Sequence, residues 1–301
     1  MSGALWALSA GLGFGLFQSL NRRGVRGMDV FVATFIQLLL SAIVLAAATA
    51  LTVDLGLLAN ASIGTIANFA IAGFIHFFVG WTFLNASQKL IGAARTTSLI
   101  GTTPLFGAFF AAVTLSEIPT LIGIGGILLI VGGVFLVNRI KAEAAPAETE
   151  GMATGLRSLL LGLAAAVCWS ISPTFIRLGL AELPSPLLGV TVGVTASMIG
   201  YALVLVVRTV RSGGSALQMS SDALLFKIVA GMLIGVSTWM RWVALDLTGV
   251  AIVLALSLIS VPVVNLLSPF VVGRSLERVT LQVWAGSSFI IAGSLVLIFL
   301  A

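Results

Sequence analysis

The sequence has very little charge. Charged residues make up 8% of its 301 residues and hydrophobic residues 59%, and the mean hydropathy is +1.19. In soluble domains about a quarter of all residues are charged, so this composition cannot cover a surface that faces water. We therefore predict a helical membrane protein that crosses the lipid bilayer several times.

Residues needed for several kinds of chemistry are also missing. Cys168 is the single cysteine, which excludes an internal disulfide and any CxxC metal or redox motif. No GxxxxGK[ST] motif is present to bind ATP, and no HExxH motif or cluster of metal-ligating residues occurs. We expect no enzymatic activity, no cofactor and no metal. The net charge of +5 is assigned to basic loops rather than to nucleic-acid binding.

Ten apolar segments are long enough to cross a bilayer, which takes about 20 residues per helix. An acidic, alanine-rich stretch follows Arg139 and is predicted to be a linker. We therefore predict an all-α integral membrane protein with a first five-helix repeat over residues 1–140, a linker over 141–153 and a second repeat over 154–301. The ten spans are placed near residues 3–21, 30–52, 63–87, 94–115, 119–138, 155–176, 186–207, 224–245, 250–271 and 280–300.

The basic residues are concentrated in alternate loops. The loops after spans 1, 3, 5, 7 and 9, taken with the first four residues of the span that follows each, hold 13 of the 15 Lys and Arg residues, and only Arg177 and Arg241 fall elsewhere. Because cytoplasmic loops carry an excess of Lys and Arg, the odd-numbered loops are predicted to be cytoplasmic and both termini to be outside.

The two halves resemble each other. The run FGLFQSLNRRG in span 1 aligns with WSISPTFIRLG in span 6, and LIGAARTTSLIGTTP aligns with LTGVAIVLALSLISVP before and within spans 4 and 9. Since each half has an odd number of spans, the second half must be inverted. Inverted repeats are typical of secondary transporters, whose solute sites lie near the midplane between the halves. Weak self-similarity of any helical bundle is the alternative.

Small motifs recur in a fixed order. An aromatic residue precedes a small one at Phe14 and again at Trp169, and Pro104 is followed thirteen residues later by Glu117. In this order the motifs resemble the drug/metabolite transporter superfamily in its ten-helix EamA-type branch, and within it the YddG-type exporters of aromatic amino acids. In the second half Pro262 precedes its Glu by fifteen residues, which departs from that pattern. The resemblance implies ten helices around a central cavity, and export of amino acids or similar metabolites.

His76 is the only histidine and lies at the centre of span 3. An ionisable ring in hydrocarbon needs a partner and usually faces a bundle interior or a wet cavity. Gly80 lies one helical turn further on and leaves room beside it. We predict that His76 contacts a polar solute; a packing hydrogen bond to a neighbouring helix is the alternative.

Span 8 carries two tryptophans near its middle. Trp239 and Trp242 are three residues apart, so they are predicted to share a helix face and to offer flat walls to an apolar side chain. A lipid-facing position is the alternative for both. Arg241 is expected to pair with Asp246 or to reach the interface, rather than to bind a solute.

Prolines interrupt spans 4 and 9. Pro removes a backbone donor, so Pro104 can free the carbonyl of Ile100 and Pro262 that of Leu258. Such carbonyls would suit an ammonium group; kinks used for packing alone are the alternative. The residues predicted to line the solute site are His76, Gly80, Trp239, Trp242, Thr97, Pro104, Pro262, Asn265, Phe14 and Trp169, with Gln18 beside Phe14.

The sequence thus favours a secondary transporter in a bacterial inner membrane. It would export amino acids, including aromatic or large apolar ones, by alternating access and without obligatory ion coupling, since none of the ten acidic residues falls in the middle third of a span. A broad exporter of drugs or cations, and a membrane enzyme or lipid-handling scaffold, remain as alternatives. The expected partners are the solute and the bilayer, and the expected state is a monomer. Glu117 and Glu277 are expected to cap spans 5 and 10.

Overall fold

The computed structural model describes residues 1–25, 29–143, 152–212, 221–271 and 281–300, and it contains no strand in these ranges. Eight helical stretches there are long and apolar enough to cross a membrane, and two shorter apolar helices, Thr103–Leu115 and Leu121–Val137, complete the ten predicted spans. The helices are α1 (Ser2–Val25), α2 (Val30–Thr52), α3 (Gly56–Asn60), α4 (Ile63–Gly73), a π-helical segment (Phe74–Gly80), α5 (Trp81–Ile100), α6 (Thr103–Leu115), α7 (Leu121–Glu143), α8 (Met152–Glu182), α9 (Pro186–Ser212), α10 (Ser221–Leu247), α11 (Val250–Ser257), α12 (Ser260–Val271) and α13 (Leu281–Phe299). The predicted linker falls mostly on residues 144–151, which lie outside the described ranges.

Spans 3 and 4 meet within α5. The hydroxyl oxygens of Ser87 and Thr96 are 3.0 Å apart, whereas nine residues of straight helix would extend about 13 Å. The chain therefore reverses direction between these two residues, where the sequence predicts a short loop.

Helical order breaks shortly before both prolines. It stops at residues 101–102, ahead of Pro104, and at residues 258–259, ahead of Pro262. The carbonyls that were expected to be free already accept hydrogen bonds. The Thr103 hydroxyl donates to the oxygen of Ile100 at 2.6 Å, and the Val261 N–H donates to that of Leu258 at 2.9 Å. Each carbonyl therefore has one bond already, and the expectation that these kinks contact an ammonium group stays a prediction.

The helix packing repeats when the two halves are exchanged. Helix α1 packs against α10 and α12, and its counterpart α8 packs against α5 and α6. Likewise α2 packs against α10, and its counterpart α9 packs against α4. The counterparts α7 and α13 pack on each other, as do α2 and α9, and α6 and α11. This pattern agrees with two halves related by an approximate two-fold axis.

Glycines allow the closest helix crossings. A Cβ atom on Gly73 would lie 2.1 Å from the backbone oxygen of Gly193, so α4 and α9 touch through their backbones. On α7, a Cβ on Gly133 would lie 2.5 Å from the backbone oxygen of Gly286 on α13. Small residues at helix interfaces in membranes permit this approach. The α4–α9 crossing fixes the chain immediately before the π-helical segment.

An ion pair joins several helices at one end of the bundle. Arg177 of α8 lies 2.7 Å from Glu117, which follows α6, and Arg177 also donates to the Leu245 carbonyl at the end of α10. The other carboxylate oxygen of Glu117 accepts the backbone N–H of Val250 at 3.0 Å. Glu117 thus caps α11, and the expectation that it caps span 5 is wrong. Glu277 lies outside the described residues.

A second ion pair lies at the opposite end. Arg208 near the end of α9 is 3.1 Å from Asp29, whose carboxylate also accepts the backbone N–H of Phe31 and caps α2. The Arg208 guanidinium carbon lies 4.3 Å from the centre of the Phe31 ring. The two ends of the bundle are therefore each held by a carboxylate that bonds one arginine and one helix N-terminus.

Candidate functional site

His76 lies in the π-helical segment between α4 and α5. A π-turn has i→i+5 hydrogen bonds, is rare, and occurs frequently at functional sites. Gly73 precedes the segment and Gly80 ends it, and the side chain of His76 is buried at 6% exposure. The chain thus departs from a regular helix at the position of its only histidine.

The imidazole of His76 bonds two side chains of the second half. Its Nε2 atom is 2.9 Å from Nη2 of Arg241, and its Nδ1 atom is 3.0 Å from Oγ of Ser172. Because a guanidinium can only donate, Nε2 must accept, and the ring is the neutral tautomer with its proton on Nδ1. The Nδ1–H group then donates to Ser172, so His76 cannot act as a base towards that serine.

Trp169 of α8 covers the imidazole. The two ring centres are 5.4 Å apart at an interplanar angle of 18°, and the indole Nε1 donates to the backbone oxygen of His76 at 3.0 Å. A Cβ atom on Gly80 would lie 2.6 Å from that Nε1 atom. The space predicted beside Gly80 is therefore the space that Trp169 fills.

Arg241 lies inside the bundle. It is 7% exposed, its Nε atom has no hydrogen-bond partner, and its guanidinium carbon is 5.4 Å from the centre of the Phe14 ring. Among the described residues no carboxylate is paired with it; the backbone oxygen of Asp246 accepts from Arg177 instead. The expectation that Arg241 pairs with Asp246 or reaches the interface is wrong.

The two tryptophans of α10 contact different neighbours. Trp242 is 1% exposed and its ring centre is 5.6 Å from that of Phe69 on α4. Trp239 contacts Trp6 of α1 at 5.4 Å, and it lies roughly 200° around the helix from Arg241. Neither ring contact involves the cluster around His76, and the wall that their spacing predicted stays a prediction.

The remaining predicted residues are divided between the cluster and its surroundings. Phe14 belongs to the cluster because its ring faces the guanidinium of Arg241. Thr97 and Pro104 flank the break between α5 and α6, and Pro262 and Asn265 lie in α12. None of the contacts of His76, Trp169 and Arg241 described above involves these four residues, so their part in solute binding stays a prediction.

Helix α1 is exposed on two faces. Leu5, Leu12 and Leu16 form an outer stripe with exposures of 54%, 48% and 43%. Gln18 is also exposed, although it lies roughly 200° around the helix from Leu16, one turn beyond Phe14. Solvent-accessible surface therefore reaches the inner face of α1 beside the cluster.

Lys227 was counted with the basic loop before span 8, and this assignment is wrong. It lies within α10 and is 1% exposed. Its Nζ atom donates to Oδ1 of Asn21, and to Oε1 of Gln37 at 2.8 Å. The lysine thus links α10 to α1 and α2.

The sequence was then compared with known proteins. Residues 1–139 match the EamA-like transporter family. The match suggests a membrane transporter of the drug/metabolite transporter superfamily. No curated protein matches the sequence. One solved structure, described only as the crystal structure of a protein, has 17% sequence identity and a TM-score of 0.76, and the match covers 100% of this chain and 97% of that chain. At this identity the likeness concerns the fold alone.

Proposed function

We propose that the protein is a secondary transporter that exports amino acids and similar small amphipathic metabolites by alternating access. The observation that supports this most is the polar cluster inside a bundle whose outer surface is apolar. Ionisable side chains within a membrane are rare and mark solute or ion pathways. His76 comes from the first half, whereas Ser172, Trp169 and Arg241 come from the second. The cluster therefore lies where the halves meet, as solute sites of inverted-repeat transporters do.

The aromatic rings around the cluster favour solutes with an apolar side chain. Trp169 stacks on His76, and Phe14 lies over the other polar group, Arg241. Flat rings provide a large contact area for aromatic and branched side chains. We therefore include aromatic and large apolar amino acids among the proposed solutes, as the resemblance to YddG-type exporters implies.

The membrane, orientation and coupling belong to the same proposal. We place the protein as a monomer in a bacterial inner membrane with both termini outside. Arg241 and Lys227 are buried in the bundle, and removing them from the loop counts leaves the excess of basic residues on the odd-numbered side. With no acidic residue in the middle third of any predicted span, facilitated diffusion or weak coupling is the proposed mode.

The alternatives gain less support from the geometry. A lipophilic cation would have to approach the buried guanidinium of Arg241, which repels it. A hydrolytic enzyme would need a base for Ser172, but the Nδ1 atom of His76 that faces this serine carries a proton in the assigned tautomer. Both arrangements favour a solute site.

The test is an uptake screen with the purified protein in liposomes. Counterflow of each labelled amino acid is measured with and without a pH gradient. We expect saturable counterflow of large apolar amino acids that does not require the gradient, and a strong reduction in a His76→Ala variant. A Cys168→Ser variant serves as control, because this half-buried thiol is not part of the cluster. Absence of flux for every amino acid, or turnover of lipid without solute flux, would contradict the proposal.

A further inference from the structure

The guanidinium of Arg241 carries a charge that no carboxylate among the described residues is paired with. Arginine stays protonated in proteins. The acidic residues whose bonds are described above, Asp29 and Glu117, are each engaged with another arginine at an end of the bundle. Asp246, the carboxylate nearest in sequence, lies beyond Arg241 towards the end of α10. Burying a charge without a partner costs several kcal/mol, so such an arginine normally has a counter-charge for at least part of its working cycle.

The partners that Arg241 does have are neutral. The imidazole of His76 accepts one N–H bond through Nε2, and the face of the Phe14 ring provides a weak cation–π contact at 5.4 Å. The buried Nε atom has no hydrogen-bond partner in the part of the chain that the structure describes. The Nε–H group and one Nη2–H group of a guanidinium point the same way and form the fork that binds both oxygens of a carboxylate. In this structure the Nε–H arm of that fork is unused, and the Nη2 atom bonds a neutral acceptor.

We propose that Arg241 is a carboxylate subsite and that the transported solutes are monocarboxylates with an apolar body. This inference rests on the proposed transport function. The carboxylate takes the Nε–H and Nη2–H groups of Arg241, and His76 keeps or gives up its bond to Nη2 according to the space available. The rings of Trp169 and Phe14 then contact the apolar part of the solute.

The subsite also predicts how the amino group of a solute affects its binding. The cluster offers an ammonium group no carboxylate among the described residues, and Arg241 repels it. The amino group is therefore dispensable, and a deaminated acid binds at least as well as the matching amino acid. This separates the present inference from an amino-acid transporter that recognises both charged groups.

Three solutes with the same ring and nearly the same length test the inference. L-phenylalanine has both charged groups, 3-phenylpropanoate lacks the amino group and 2-phenylethylamine lacks the carboxylate. Each competes against a labelled large apolar amino acid in counterflow, and each is assayed for its ability to raise the Tm of the purified protein. We expect 3-phenylpropanoate to equal or exceed phenylalanine. We expect 2-phenylethylamine to bind on the order of 10- to 100-fold more weakly, which corresponds to the loss of a charge-assisted hydrogen-bonded pair.

Variants of Arg241 test whether this side chain causes the preference for the acid over the amine. Arg241→Met keeps much of the volume and removes the buried charge, a replacement that folded proteins often tolerate. We expect it to abolish the difference between the acid and the amine. Arg241→Lys keeps the charge but loses the planar fork, so a smaller preference remains. Arg208→Gln is the matched control, because it removes an arginine from an ion pair at the end of the bundle, and it should leave the preference intact.

The outcomes separate this inference from the function on which it rests. If the amine competes as well as the acid, or if the preference survives in Arg241→Met, the carboxylate subsite is refuted while transport stands. If the acid raises the Tm only when Arg241 is present but no solute crosses the membrane, the subsite stands and the transport function is refuted. If no solute binds or moves, both are refuted.

Discussion

At the scale of single residues, the contact between Gly80 and Trp169 governs how the cluster is assembled. The indole fits against the π-helical segment only because residue 80 has no Cβ atom. Trp169 in turn bonds the backbone oxygen of His76 and stacks on its ring. The position of the imidazole therefore depends on a residue that has no side chain of its own.

Replacing Gly80 with Ala should disturb this arrangement. The added methyl group would lie 2.6 Å from the indole Nε1, so the ring must shift away from His76, and overpacking of this kind costs about 1–3 kcal/mol. We expect a lower Tm and weaker solute counterflow. Gly132→Ala is the control, since a Cβ there has no neighbour within 4 Å. If the two variants behave alike, Gly80 is not needed to seat Trp169.

The sequence predicted some of these residues and missed others for a definable reason. His76 stood out because it is the only ionisable ring in a long apolar segment. Arg241 was misread because Asp246 is close in sequence, and a local partner seemed sufficient. The sequence did indicate a functional role for Arg241, since a charge inside an apolar run is functional by default. Its partner could not be predicted, because neighbouring helices decide which group lies beside an intramembrane charge. Trp239 and Trp242 show the same limit, because their spacing does not indicate their neighbours, Trp6 and Phe69, which lie on other helices.

At the scale of helices, apolar length was enough to find the ten spans, because crossing hydrocarbon takes about 20 apolar residues whether or not the helix is interrupted. The sequence could not predict which helix each capping residue caps. Glu117 was correctly identified as a residue for a helix N-terminus, but it caps α11 rather than the helix that follows it in the chain. Which N-terminus lies nearby is a tertiary property. The π-helical segment also has no sequence signature that would have predicted it.

The Arg177–Glu117 ion pair should contribute to the stability of its end of the bundle. Glu117→Gln removes the charge but keeps an oxygen that can accept the N–H of Val250, so the variant tests the ion pair separately from the cap. We expect a lower Tm, and a double-mutant cycle with Arg177→Gln should give a coupling of about 1 kcal/mol. Additive effects in that cycle would show that the two side chains act independently.

At the scale of the whole molecule, the charge asymmetry and the ten spans together predict the topology. Because the number of predicted spans is even, both termini of the chain are predicted to lie on the same side of the membrane. The exchange of packing partners between the halves, α1 with α10 and α8 with α5, agrees with two bundles related by a two-fold axis. Motif repetition in the sequence pointed to the two halves, but only the tertiary structure shows which helices of one half pack against which helices of the other.

Accessibility of the termini tests this topology. Short epitope tags are added to both termini. A labelling reagent that cannot cross membranes is then applied to spheroplasts, whose inner membrane is intact. We expect both tags to be labelled from outside and neither to require permeabilisation, because ten spans return the chain to its starting side. Labelling of one tag only would mean an odd number of crossings, and labelling of neither would reverse the proposed orientation.

The central claim is that a solute binds between the two halves, at His76 and Arg241. The most direct measurement is a structure of the protein solved with the best solute of the uptake screen. We predict density for one solute molecule with its polar end on the Arg241 guanidinium and its apolar part against Trp169 and Phe14. A solute bound elsewhere, such as along the outer surface of α7 and α13, or an unchanged bond between Arg241 and His76 at saturating solute with no density beside it, would contradict the account.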